Sequence, residues 1–114
     1  MTEKKELNDD GVMLLTNAII ERACDDYRNA HHKIKELSGP DWIQILSKRH
    51  KKRLSNAAPE NRQEIIETIR DRQLIGAEKT IREVENFFHS KMYTLLTSID
   101  GDCILERLKN ELQN

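Results

Sequence analysis

The densest chemistry in this chain lies in Lys48-Arg49-His50-Lys51-Lys52-Arg53, a basic block with acidic sequence on either side. Residues 38–58 carry five Lys/Arg against one acid, Asp41; residues 1–37 carry six bases against eight acids, and 59–114 eight against eleven. The net charge of −1 therefore hides one positive pole. Such a pole meets anions: phosphates, an acidic protein surface or the chain's own acidic helices. Lysine and arginine supply the charge, His50 adjusts it near neutral pH, and Ser47 adds a hydroxyl beside the block.

The other reactive residues are sparser. Cys24 and His31 stand two helical turns apart, with His32 beside them, but two ligands do not close a zinc site and no Cys-x-x-Cys or His-Glu-x-x-His accompanies them. A buried small thiol and two surface histidines is the reading. Glu85 and His89 are four apart, which suits a carboxylate–imidazole pair on one helix face. An enzyme built around those two is the most distant option. Asp100-Gly101-Asp102 is a turn with Asp102 as helix cap, since the remaining ligands of a calcium loop are missing. With only four glycines there is no phosphate-cradling loop, and no serine carries a nucleophile signature. No catalytic residue, metal ligand or cofactor is expected.

These residues must be positioned by helices. No segment alternates with period two, and glycine and proline are too few for a turn-rich β fold. Met13, Thr16, Ile20, Ala23, Tyr27, Ala30, Ile34 and Leu37 follow at spacings of three and four, a heptad-like seam. Val12, Leu15 and Ile19 widen it. The seam predicts a helix over about 11–37, ~40 Å long, stopped by Ser38-Gly39-Pro40. A second helix is expected over 41–54, with Trp42, Ile45 and Leu46 on the core and Arg49 and Arg53 pointing away from it.

Pro59 opens a third helix over 60–74, and Gly76 either ends it or softens a helix that continues. Ala77, Ile81, Val84, Phe88, Met92, Leu95 and Ile99 predict a fourth. The last places Ile104, Leu105, Leu108 and Leu112 on one face. The fold class is all-α, a bundle of about five helices: two long antiparallel ones with shorter helices inserted. Residues 1–10 read as a polar tail and 11–114 as a single helical domain. Neither a signal-peptide stretch nor a membrane span is present, so the two cysteines are expected to stay reduced in a cytoplasm. A homodimer through the long seams is a further expectation.

Two stretches carry a resemblance. One is Ala18-Ile19-Ile20-Glu21-Arg22-Ala23-Cys24-Asp25-Asp26-Tyr27-Arg28-Asn29-Ala30. The other, within 81–112, is Glu85-Asn86-Phe87-Phe88-His89-Ser90 followed by Leu95-Leu96, Ile99-Asp100-Gly101-Asp102 and an amphipathic helix. Together they resemble a family of small uncharacterised proteins encoded by phages and integrated elements of Gram-positive bacteria. In that family a short polar linker joins the two halves, whereas here residues 38–76 intervene with Trp42 and the basic block. The resemblance implies a non-enzymatic accessory protein acting in the host cytoplasm. Its partner would be a host or element-encoded protein, including nuclease complexes of CRISPR or restriction systems, in the manner of an anti-CRISPR inhibitor. The alternative is a nucleic-acid-binding accessory or regulatory protein that uses Lys48, Arg49, Lys51, Lys52 and Arg53 on phosphates, in a backbone-directed and nonspecific way.

Overall fold

The structure, a computed structural model, describes the backbone of residues 2–113; the side chains of residues 2–10, Val12 and Ile45 lie outside the described residues. It is all-α, with α1 (Thr2–Leu37), a 3₁₀ turn (Trp42–Ile45), α2 (Lys48–Asn56), α3 (Pro59–Phe88), α4 (Lys91–Leu96) and α5 (Gly101–Gln113). The helix α1 thus starts ahead of the expected boundary and includes the backbone of the segment read as a tail. Two long helices, α1 and α3, are present as expected. By their contacts the residues form two compact units, 1–28 with 82–114, and 29–81.

Within the unit of residues 29–81, Leu37, Trp42, Leu46 and Ile69 make the core, joined by Leu54, Ile65, Ile66 and Leu74. The Arg70 guanidinium lies 5.9 Å from the centre of the Trp42 ring, a cation–π contact. The helix expected over 41–54 is broken in two. Leu46 and Ser47 adopt extended backbone (ψ 148° and 158°), and Ser47 caps α2 by accepting the His50 amide on its Oγ. A serine at that position offers the backbone a local acceptor, which starts a new helix rather than continuing the old one. In contrast, the helices expected on either side of Gly76 are one. Gly76 is exposed, with nothing within 4 Å of where a Cβ would sit. Its cost is therefore only the ~1 kcal/mol of helix propensity, too small to end a 30-residue helix packed on its neighbours.

Within the unit of residues 1–28 and 82–114, the core holds Thr16, Tyr27, Val84, Phe88, Tyr93, Leu105 and Leu108. The expected fourth helix does not run to Ile99. It ends at Phe88, and Ser90 caps the short α4 through the Tyr93 amide. The turn is held by Phe87, Phe88 and Tyr93, whose rings meet edge to face at 5.2–5.6 Å. As a result Met92, Leu95 and Ile99, expected in the core stripe, are exposed, and so is Met13 at the start of the α1 seam. The α5 cap is Asp100, not Asp102: its Oδ1 accepts the Asp102 amide at 3.0 Å. Gly101 follows because the Phe88 carbonyl occupies the space of any Cβ there. Leu105 and Leu108 are buried and Ile104 and Leu112 half-buried, the face expected of this helix.

Candidate anion-binding surface

Ser47 fixes where α2 begins, and Leu54 fixes which way it faces, since Leu54 packs on the Trp42–Ile69 core. At 100° per residue, His50, Leu54 and Ala57 share the inward side, and all three are half-buried. Lys51, Lys48, Lys52, Arg49 and Arg53 then fall, in that angular order, on an outward arc of about 200°. All five are exposed, and α2 has no fully buried residue. They rise over only about 8 Å of helix axis, at 1.5 Å per residue. Among the described residues none of the five forms an ion pair or a side-chain hydrogen bond. The acidic helices therefore do not quench the block.

The electrostatics go further. The first turn of α2 holds no acid. Lys48 and Arg49 sit instead at the positive end of the helix dipole, where cations are disfavoured by about 0.3–1 kcal/mol each. Five like charges on one short helix add mutual repulsion. Only Arg53, in the last turn, is favoured by the dipole, whereas an anion laid against α2 would relieve the strain at Lys48 and Arg49 and the mutual repulsion. His50 has a different place from its neighbours. Its Nδ1 lies 3.2 Å from the Ser47 Oγ, so it acts at the junction of cap and core rather than on the outward arc. Trp42 is buried beneath Arg70 and is not free to stack on a base.

The other candidates are drawn apart. Glu85 and His89 do not pair with each other: His89 Nε2 meets Asp102 Oδ1 at 2.5 Å, while Glu85 meets Lys109 at 3.7 Å. Both contacts lie on the surface, and neither lines a closed pocket. Cys24 is half-buried, and burial pushes its thiol above the ordinary range, so it is a poor nucleophile. Cys103 is exposed, and both cysteines are free. Of the two neighbouring histidines, His32 is exposed and His31 half-buried. No group of three His, Cys, Asp or Glu among the described residues could hold a metal ion. No described helix is long and apolar enough to cross a membrane.

One feature escaped the sequence reading. Met13, Leu14 and Leu15 are all largely exposed, and Met13 borders a hollow of about 480 Å³ with Thr16, Asn17, Leu96 and Ile99. Four consecutive apolar residues in the sequence, Val12-Met13-Leu14-Leu15, more than one helix stripe can bury, were the signal. No family model matches the chain, and neither a curated protein nor a solved structure matches it.

Proposed function

We propose that this is a non-enzymatic binding protein that docks on an anionic surface of another protein through Lys48, Arg49, Lys51, Lys52 and Arg53. The observation that carries the reading is the charge arrangement on α2: five exposed, unpaired cations on one short helix, two of them, Lys48 and Arg49, at the end that disfavours them. In combination with the family resemblance, the protein is a phage or mobile-element product whose partner is a host or element-encoded protein in the cytoplasm. Its sharpest form is inhibition of a nucleic-acid-handling defence complex, by docking on an acidic face of that complex rather than in the basic path that binds nucleic acid.

A second reading rests on the same arc. Phosphates suit Lys and Arg on a helix as well as carboxylates do, and the contact would follow the backbone without base readout, because the one tryptophan is buried. The test is fluorescence anisotropy of labelled duplex DNA and structured RNA against the protein over a salt series, beside a variant with the five cations changed to Ser. If all five contact phosphates, log affinity falls against log salt with a slope of about −4 to −5 for duplex DNA. Such binding, lost in the variant, would replace the protein-partner reading with the nucleic-acid one. Absence of binding near physiological salt, with a stoichiometric complex captured from host lysate by the wild type and not by the variant, is the outcome expected here.

A further inference from the structure

We infer that the unit of residues 1–28 and 82–114 holds a second docking site, a groove along α1 that takes a basic amphipathic helix of a partner protein. This site is separate from α2 and does not depend on its use. The hollow at Met13, Leu96 and Ile99 is one end of the groove. Along α1, Met13, Asn17, Ile20 and Cys24 follow at spacings of four, three and four, so they share one side of the helix, beside the buried Thr16. The later part of that stripe lines a second hollow of about 380 Å³, formed by Ile20, Glu21, Cys24, Asp25 and Arg28. From Met13 to Arg28 the stripe is about 22 Å long, the length of a helix of some fifteen residues. A mainly apolar hollow at Met13, Leu96 and Ile99, in line with a second whose Ile20 and Cys24 are flanked by Glu21, Asp25 and Arg28, is a form that receives the apolar stripe of a helix at one end and its charged flank at the other.

The charge around the groove selects the occupant. Glu21 and Asp25 are exposed along it, and Asp100 is exposed beside Ile99. Among the described residues that line it the one base is Arg28, held by Glu111 at 2.6 Å and by Asp25 at 3.1 Å. The unit as a whole carries eight Lys/Arg against thirteen Asp/Glu, a net −5. A docking helix therefore gains from Lys or Arg on either side of its apolar stripe. A second copy of this chain is a poor occupant. Groove against groove would set acid against acid, and α2, the chain's own basic helix, turns Leu54 into its own core.

The probe is a fluorescein-labelled sixteen-residue amphipathic helix of leucine and lysine, compared with the same peptide carrying glutamate for lysine, in anisotropy titrations. The lysine peptide should bind at least tenfold more tightly than the glutamate one. A Met13→Ser/Ile99→Ser variant should weaken it at least tenfold, and Glu21→Lys several-fold with a loss that shrinks as salt rises. These side chains are exposed, so far-UV circular dichroism should match the wild type. The variant lacking the five cations of α2 should bind the lysine peptide as the wild type does, which keeps this site distinct from the α2 reading. Equal binding of both peptides, or unchanged binding by Met13→Ser/Ile99→Ser and Glu21→Lys, would overturn the inference. So would sedimentation equilibrium showing a dimer that Met13→Ser/Ile99→Ser dissociates, because the groove would then belong to a second copy.

Discussion

The two compact units of this chain have opposite electrical characters. Residues 29–81 carry eleven Lys/Arg against seven Asp/Glu, a net +4, whereas residues 1–28 with 82–114 carry eight against thirteen, a net −5. Their cores differ as well. The acidic unit is pinned by three aromatic rings, Phe87, Phe88 and Tyr93, at a helix turn. The basic unit is aliphatic around a single tryptophan under an arginine. The surfaces follow the same division: outward cations on α2 in one, and exposed Met13, Leu14, Leu15 and Leu95 in the other. A nearly neutral chain can therefore offer two unlike surfaces, and neither the net charge nor the isoelectric point reveals it.

The largest effects come from removing each core's anchor. Phe88→Ala and Trp42→Ala should each destabilise by about 3–5 kcal/mol in urea unfolding. Trp42 is the only tryptophan, so its fluorescence reports the basic unit while circular dichroism reports all helices. Both α1 and α3 contribute residues to both units, so the two signals of Phe88→Ala should share one midpoint. Separate midpoints would divide the comparison into two independently unfolding pieces. Next is Gly101→Ala, which forces a methyl group into the Phe88 carbonyl and should cost about 3 kcal/mol, the upper range for overpacking, read by the same melts.

Changing Lys48, Arg49, Lys51, Lys52 and Arg53 to Gln, which matches them in helix propensity, should weaken anion binding at least tenfold, about 1.4 kcal/mol, and leave the melting midpoint unchanged or higher. A fall in that midpoint would mean that the cations serve the fold of the basic unit instead. Gly76→Ala should add up to about 1 kcal/mol to thermal stability, because the added methyl meets open space in mid-helix. The contrast with Gly101→Ala tests whether glycine is required for room in one unit and is merely tolerated in the other.

The smallest effect concerns the ion pair of the acidic unit. The Arg28 guanidinium, bonded to both carboxylate oxygens, holds Glu111 below the usual carboxylate range. A folded-state pKa below the unfolded one gives stability that is present above the unfolded value, about 4.3, and is lost as pH falls through the lower folded value. Glu111→Gln should therefore lower the melting midpoint slightly at pH 7, and the difference from wild type should vanish in strong acid. A difference that persisted there would assign the effect to packing rather than charge.

Much of this was legible in the residues. The spacing of Thr16, Ile20, Tyr27 and Leu37 places one side of α1 inward, and that side is buried or half-buried in the structure. Trp42 and Leu46 reach the core as their pattern requires, and Arg49 and Arg53 point away from it. Helix ends were less legible. Gly76 carries the residue type of a stop and Ser47 does not interrupt the apolar pattern, yet the chain runs through the first and breaks at the second. Similarly, Met92, Leu95 and Ile99 keep the helical period but follow a turn at His89 and Ser90, so the period no longer points them at the core.

By itself the sequence determined the helical class, the inward sides of α1 and α5, and the position and sign of the basic block, because those depend on side-chain type and on a period that every helix obeys. Only tertiary structure decided where helices stop, which partner each charged group takes and which apolar residues remain uncovered. His89 has Glu85 one turn away in sequence and Asp102 across a turn in space, and it takes Asp102. The physical reason is that a terminus or an ion pair is a contest of about 1 kcal/mol between local alternatives, and burial of distant residues such as Phe88 and Tyr93 outweighs it.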